Sequence, residues 1–166
     1  MKHAGFTLIE LLIVLALLAI LTNIAAPSLS ELVDTQRRHA AAQGLASGIR
    51  SARVAAVTRN QVITIHAIDA DWSNGWRIIT DLDGRGPDDK DLLLVERANG
   101  GKPRIVGNSK VAEYLSFDGL GGLRRAANGT LHICVTGQPV SHYRVLVNIT
   151  GRVRIEETRI RHPPCA

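Results

Sequence analysis

MKHAGFTLIELLIVLALLAILTNIAA, residues 1 to 26, opens the chain and decides its fold. The hydrocarbon core of a bilayer, about 30 Å thick, is crossed by roughly 20 mostly apolar helical residues, and residues 6 to 26 supply such a run. A cleaved secretory signal fits poorly, because Lys2 is the only positive residue before the run, the run is long, and Pro27 would follow a cut after Ala26. The stretch therefore predicts a membrane-spanning helix.

A carboxylate, Glu10, lies inside this predicted span. Placing a charged side chain there costs on the order of 2.5–3.5 kcal/mol on insertion scales, so residues of this kind usually have a function. An ordinary signal anchor would explain the length of the span but would leave Glu10 unexplained. Within an apolar bundle a nearby cation neutralises such a carboxylate, and a newly exposed N-terminal amine is a candidate.

The residues around Glu10 carry a family resemblance. Gly5-Phe6-Thr7-Leu8-Ile9-Glu10 resembles the type III signal of type IV pilins and pseudopilins. The resemblance implies that a prepilin peptidase removes residues 1 to 5 as a leader, cutting after Gly5, and that Phe6 becomes a methylated N-terminus. It also implies that Glu10 meets an N-terminal amine during filament assembly, with other pilins as partners.

The distribution of positive charge predicts the orientation of the span. Lys2 precedes it, and the next Lys or Arg residues are Arg37 and Arg38. By the positive-inside tendency, the short N-terminus is held in the cytoplasm. In a Gram-negative cell the chain would then cross the inner membrane once, with its head in the periplasm, and would become pilus-associated after assembly.

A second helical pattern follows the span. Pro27 is expected to bend or break the helix locally, after which apolar residues recur every three or four positions. They are Leu29, Leu32, Val33, Ala40, Leu45, Ile49, Ala52 and Ala56. The polar residues that lie mostly off this stripe are Gln36, Arg37, Arg38, Gln43, Arg50, Arg53 and Arg59. The period predicts one helix over residues 6 to 59, about 80 Å long: residues 6–27 span the membrane, and residues 28–59 are amphipathic and pack against the head.

After Asn60 the pattern changes to short runs rich in β-branched residues, separated by Gly, Asn, Asp and Pro. The runs cover residues 61–67, 75–80, 92–97, 104–106, 111–117, 130–135, 143–149 and 153–160. The segment 60–166, about 100 residues, suffices for one small domain. The predicted fold class is α+β: a long N-terminal helix packed against a small antiparallel β-sheet head that ends in a basic C-terminal tail.

The head carries a second resemblance. Asn74-Gly75-Trp76 with Asp81, Phe117 with Gly119, Leu131-His-Ile-Cys134, and Arg144-Val-Leu-Val-Asn-Ile-Thr-Gly-Arg-Val-Arg154 are similar to the head of the GspH/FimT family of minor pilins and pseudopilins. Members are non-enzymatic minor subunits of type IV pili or of type II secretion pseudopili. The resemblance therefore implies a structural subunit and leaves both assemblies open.

The charge of the chain favours anionic partners. It has 20 Lys and Arg against 15 Asp and Glu, a net charge of +5 and an isoelectric point near 9.8, and excess positive charge on an exported domain attracts anions. The arginines concentrate in a Gly-rich loop and in the last quarter of the chain. They are Arg124, Arg125, Arg144, Arg152, Arg154, Arg159 and Arg161.

Gly151-Arg152-Val153-Arg154 resembles the Gly-Arg-x-Arg element of FimT-type minor pilins, which bind DNA during natural transformation. In an extended segment the two arginines lie on one face about 6.6 Å apart, a spacing that suits neighbouring phosphates, and each guanidinium can bind phosphate bidentately. Such contacts would be independent of DNA sequence. The candidate DNA-binding residues are Arg152, Arg154, Arg159, Arg161, Arg124 and Arg125.

The arginines of this basic tail have a second interpretation, because alternating arginine and aliphatic residues are also typical of any exposed edge strand. Two functions therefore stay open. The predicted function is a minor type IV pilin that takes part in pilus assembly and binds DNA through the tail during DNA uptake. The alternative is a GspH-like minor pseudopilin of a type II secretion system that does not bind DNA.

The cysteine count agrees with an exported head. Disulfides persist in oxidising compartments, and the two cysteines, Cys134 and Cys165, leave no unpaired thiol if they bond. Pairing would attach the C-terminus to the domain. Two free thiols remain the alternative, whereas a metal site is disfavoured because no Cys-x-x-Cys or paired His accompanies them.

Other constellations favour neither catalysis nor a cofactor. The acidic stretch 81–91 has carboxylates at alternate positions, as calcium loops do, but lacks the closing Glu of a twelve-residue site, so a solvated hairpin loop is the preferred interpretation. His39, His66, His132 and His142 lack metal-ligand spacing. No nucleophile elbow, phosphate loop or dinucleotide fingerprint occurs. We expect no enzymatic activity, metal or cofactor.

Overall fold

The computed structural model describes residues 7–109, 111–124 and 128–165. Within them the chain forms one long helix, eight strands and a final 3-10 turn. The elements are α1 (Leu8–Arg59), β1 (Ile63–Ile68), β2 (Asp71–Thr80), β3 (Leu92–Ala98), β4 (Ile105–Gly107), β5 (Tyr114–Phe117), β6 (Gly129–Cys134), β7 (Val140–Val147), β8 (Val153–Arg161) and the 3-10 turn Pro163–Cys165. The α+β prediction is confirmed.

Helix α1 continues through Pro27, in agreement with the prediction of one helix, so this proline does not break it. Proline removes one backbone hydrogen-bond donor, but apolar helix-forming residues precede it. Two serine hydroxyls also donate hydrogen bonds to nearby backbone carbonyls. Ser28 donates to the carbonyl of Ala25 at 2.9 Å, and Ser30 donates to that of Pro27 at 2.8 Å. Hydroxyl donors of this kind let proline persist in membrane helices.

The chain divides into two compact units at the boundary between Gln36 and Arg37. In the first unit the described part of the helix is exposed or half-buried throughout. Helix α1 includes an 18-residue window of mean hydropathy 2.6, near the N-terminus, with no buried residue. Its length and composition are those of a membrane-spanning helix.

The second unit, the head, contains every buried side chain of the described residues. Its strands are all antiparallel and form two four-stranded sheets, not one: β3-β2-β1-β5 and β4-β6-β7-β8. The sheets divide because β4 pairs with β6, whereas β3 pairs only with β2. The Ser73 hydroxyl joins them by accepting a hydrogen bond of 2.9 Å from the Ile105 amide.

Small residues let the helix approach the sheets closely. Ala42, Ala46 and Ala52 are fully buried, and a Cβ on Gly48 would lie 2.6 Å from the ring of Trp76. Burial of helix residues begins only at Arg38. Three members of the predicted apolar stripe lie before this point and are exposed; they are Leu29, Leu32 and Val33.

Candidate nucleic-acid interface

The hairpin between β7 and β8 presents the Gly-Arg-x-Arg element. The Asn148 side chain holds the turn, because its Oδ1 accepts from the Arg152 amide at 2.8 Å and from the Thr150 hydroxyl at 2.8 Å. Gly151, with a φ of 77°, supplies the left-handed residue that the turn requires. The turn end of β8 therefore has a fixed backbone from which Arg152 projects.

Sheet register places the two arginines on one face. Arg154 lies opposite Leu146 of β7, and Leu146 lies opposite Thr130 of β6. Arg152 and Arg154 line the same open concavity of about 230 Å³, together with Asn148. Both arginines are exposed, whereas Val145 and Val147, on the opposite face of β7, are buried. We call this concavity the hairpin site.

Glu156 reduces the positive charge of the hairpin site. Its Oε1 lies 3.0 Å from Arg154 Nη2, and its Oε2 lies 2.8 Å from Arg144 Nη2. Arg152, in contrast, has no acidic partner within the described part of the chain. An anion entering the site would meet Arg152 directly and would compete with Glu156 for Arg154.

Two helix arginines missed by the sequence analysis also lie beside this hairpin. Arg50 Nη2 donates to the carbonyl of Val153 at 3.4 Å, and Arg53 Nε donates to that of Gly121 at 2.9 Å. Sequence periodicity placed them off the apolar stripe but could not indicate which strand they approach. Their charges add to the positive potential at this end of the head.

The remaining predicted arginines do not join the site. Arg161 lies opposite Val140 at the other end of β8, and the distance from Arg152 to Arg159 along an extended strand is about 23 Å. The guanidinium of Arg124 lies over Gly84 in the acidic loop. Arg125 lies outside the described residues, as do Gly5 and Phe6 of the processing junction.

Glu10, the predicted assembly residue, caps the start of α1. Its Oε2 accepts from the Thr7 amide at 2.9 Å and from the Thr7 hydroxyl at 2.8 Å, while Thr7 Oγ1 accepts from the Glu10 amide at 3.3 Å. This is a capping box, which satisfies two backbone donors at a helix start. The carboxylate therefore also has a local partner.

Arg38 is a further correction to the sequence analysis, which placed it off the buried face. It is 2% exposed, and its Nε donates to His142 Nδ1 at 3.0 Å. Burial, Arg38 and Arg159 hold the pKa of His142 below its ordinary value, against the opposing effect of Glu157. A neutral imidazole can accept this hydrogen bond, which the imidazolium form cannot.

The C-terminal tail is attached close to this pair. The predicted disulfide is confirmed: Cys134 and Cys165 are bonded, with 5.4 Å between their Cα atoms. His162 stacks on His132 with 3.7 Å between ring centroids. Burial, the His162 ring and the Arg144 guanidinium lower the pKa of His132 to about 4.

The acidic loop after β2 has a structural role at its first residue. Asp81 is buried, and its carboxylate accepts hydrogen bonds from the Gly84 amide at 2.7 Å, the Gly86 amide at 3.1 Å and the Thr64 hydroxyl at 2.9 Å. These donors satisfy the oxygens of the buried carboxylate. Among the described residues, no group of His, Cys, Asp or Glu is arranged to hold a metal ion.

Comparisons with known proteins identify the family of the chain. The family model "Type II transport protein GspH" matches residues 41–151, and the model "Prokaryotic N-terminal methylation motif" matches residues 1–22. No curated protein sequence matches the chain.

Two crystal structures of the type IV minor pilin FimU from Pseudomonas aeruginosa PAO1 are similar to the head and helix. One has a TM-score of 0.63 and 23% identity, covering 80% of this chain and 98% of that chain. The other crystal form has a TM-score of 0.59 and 24% identity, covering 75% and 98%. These structures establish a shared pilin fold. With the family model matched over most of the head and a methylation motif before it, the chain belongs to the GspH family of type IV pilin-like proteins.

Proposed function

We propose that this protein is a minor type IV pilin that binds the phosphate backbone of DNA at the hairpin site. One observation carries the proposal: Arg152 and Arg154 lie side by side, exposed, on one open concavity at the end of a hairpin. Few aromatic side chains are available for base stacking, at 4% of the chain, so binding would depend on phosphates and fall with salt.

The N-terminal segment supports a membrane-inserted precursor. We propose that a prepilin peptidase cuts after Gly5, that Phe6 is methylated, and that the apolar helix spans the inner membrane with the head in the periplasm. Glu10 then exchanges its contact with Thr7 for the N-terminal amine of a pilin subunit during assembly. The protein acts as a structural subunit of the filament, and DNA uptake is its proposed role there.

A second candidate is a minor pseudopilin of a type II secretion system. It is favoured by the description of the matched family model and by the ion pair between Arg154 and Glu156, which lowers the charge available to DNA. In this candidate the hairpin arginines are an exposed strand edge with no nucleic-acid partner.

A salt titration of duplex DNA against the soluble head, residues 28–166 with the disulfide formed, separates the two candidates. This segment includes the entire compact head. We expect Arg152→Gln/Arg154→Gln to lower the affinity about tenfold or more and to reduce the salt slope by about 2. The matched control is Arg159→Gln/Arg161→Gln, which removes the same charge from the other end of the strand.

The two candidates differ in the result. Loss of DNA affinity in Arg152→Gln/Arg154→Gln, with affinity retained in the control variant, supports DNA binding at the hairpin site. Equal, small losses in both variants indicate only a response to net charge. Absence of binding at low salt, even when several heads are displayed on one scaffold to supply avidity, favours the pseudopilin.

A further inference from the structure

A second basic surface lies on the head. Arg37, Arg97 and Lys102 line a concavity of about 210 Å³ whose lining also includes Leu45 and Trp76. We call these three cations the basal patch. Among the described residues, the basal patch shares no lining residue with the hairpin site.

The basal patch is built on a close helix–strand contact. The guanidinium carbon of Arg97 lies 3.5 Å from the position that a Cβ on Gly44 would occupy. Arg97 therefore lies over the helix at Gly44. The positive charge of β3 is thereby placed next to Arg37 on the helix, within one concavity.

Two cations of the basal patch lack a carboxylate partner within the described part of the chain. Among residues 7–109, 111–124 and 128–165, no acidic residue lines the concavity, and neither Arg97 nor Lys102 has an ion pair. Glu96, the acidic neighbour on β3, pairs instead with Arg77 at 2.6 Å on the sheet. An external anion is therefore the missing partner of Arg97 and Lys102.

The position of the patch along the chain selects the anion. Only residues 28 to 36 separate Pro27, at the end of the predicted span, from Arg37, a segment that reaches at most about 35 Å even when fully extended. While the span is inserted, this tether keeps the patch at a high effective concentration near the headgroups of the bilayer. Clusters of Lys and Arg next to a span bind anionic lipids.

We propose that the basal patch binds anionic phospholipid headgroups and holds the head against the membrane while the protein is membrane-inserted. Arg97 and Lys102 contact the phosphate, and Arg37 adds to the positive potential. The proposal is independent of DNA binding at the hairpin site, since the two surfaces use different residues.

The first experiment measures co-sedimentation of the soluble head with vesicles of phosphatidylcholine, with and without phosphatidylglycerol. We expect binding only with phosphatidylglycerol, weakened by salt, and reduced roughly tenfold or more by Arg97→Gln/Lys102→Gln. The matched control, Arg152→Gln/Arg154→Gln, has the same net charge and should retain vesicle binding. The four substituted side chains, two in each variant, are exposed. Both variants should therefore unfold at the same temperature as the wild type.

The second experiment uses the full chain in nanodiscs of the same two lipid compositions and follows amide hydrogen exchange. We expect slower exchange over residues 97–104 in phosphatidylglycerol discs, an effect that Arg97→Gln/Lys102→Gln abolishes. Glycerol phosphate in solution carries the same phosphate group without a bilayer and is the alternative ligand. Equal protection by glycerol phosphate in phosphatidylcholine discs would overturn lipid recognition in favour of a free-phosphate site.

Two further outcomes would overturn the proposal. Equal loss of vesicle binding in the basal and hairpin variants would indicate attraction by net charge alone. Loss of DNA binding in the basal variant, with vesicle binding unchanged, would assign the patch to DNA. Failure of DNA binding at the hairpin site, in contrast, leaves the vesicle result unchanged, so the two proposals fail separately.

Discussion

Strand β8 has two basic ends with opposite environments. At the turn end, Arg152 and Arg154 are exposed on an open concavity, and Glu156 pairs with Arg154. At the other end, Arg161 lies beside elements that attach the tail to the core: the disulfide, the buried pair of Arg38 and His142, and the stacked rings of His132 and His162. Substitutions at the turn end should change binding, whereas substitutions around the attached end should change stability.

The largest effect is expected from the disulfide. Cys134→Ala/Cys165→Ala opens a loop with a sequence separation of 31, and the chain-entropy model gives a loss of about 3.5 kcal/mol in the free energy of unfolding. Urea denaturation measures it, with reduced wild-type protein as the control, which should match the variant. DNA affinity of the folded fraction should be unchanged; a parallel loss of affinity would contradict the separation of the two ends.

The next largest effect is expected from the buried pair. Arg38→Met keeps much of the packed stem but leaves His142 Nδ1 without its donor, and an unsatisfied buried group costs about 1–3 kcal/mol. The free energy of unfolding should fall by about that amount, as measured in urea. The exposed neighbour Arg37 provides the matched control, because Arg37→Met should change stability by no more than about 0.5 kcal/mol. Equal losses in the free energy of unfolding would show that the hydrogen bond from Arg38 to His142 does not stabilise the head.

Acid should weaken the attached end as well. The folded-state pKa of His132 is about 4, and that of His142 is also lowered, against about 6.5 in an unfolded chain. Between these values the unfolded state binds more protons, so stability is lost as the pH falls from about 6.5 toward 4. The expected loss from His132 is on the order of 3 kcal/mol, since its pKa is lowered by about 2.5 units and one unit is worth about 1.4 kcal/mol.

Thermal denaturation over this pH range tests the prediction, with His132→Phe as the comparison. Carboxylates also titrate near pH 4, but they do so in both the wild type and His132→Phe. The difference in stability loss between the two proteins therefore reports the titration of the His132 imidazole. The variant should lose less stability than the wild type between pH 6.5 and pH 4. Identical slopes would assign the acid sensitivity to groups other than His132.

The smallest effect is expected at the turn end. Glu156→Gln removes the carboxylate that lies 3.0 Å from Arg154, so phosphate no longer competes with it. If the hairpin site binds DNA, the affinity should rise about two- to fivefold at low salt, because exposed ion pairs are worth only about 0.2–1 kcal/mol. Glu157→Gln is the matched control: it changes net charge equally, but its carboxylate faces His142. An equal rise in both variants would indicate a response to net charge only.

Much of the fold was predictable because local signals agree with it. The apolar run predicted the long helix, and each predicted β-rich run corresponds to an observed strand. The methylation motif over residues 1–22 agrees with the resemblance of Gly5 to Glu10 to a type III signal. The cysteine count predicted the disulfide between Cys134 and Cys165, which the structure contains. The two-residue period also placed Arg152 and Arg154 on one face, and both line the hairpin site.

The remaining features depend on contacts between distant residues. Burial of Arg38 requires His142, more than 100 positions away, and no local pattern indicates such a partner. The division into two sheets results from pairing of β4 with β6 and not with β3. The sequence analysis also grouped Arg159 and Arg161 with Arg152 and Arg154. In an extended strand, however, about 23 Å separates Arg152 from Arg159.

The sequence by itself determined the long apolar helix, the strand positions and the excess of positive charge, since each depends on composition or on a period of neighbouring residues. Only the tertiary structure decided which arginines share a surface, which one is buried, and which carboxylates neutralise them. Those properties depend on distances between side chains on different elements, and strand register and helix packing set such distances only when the whole head folds.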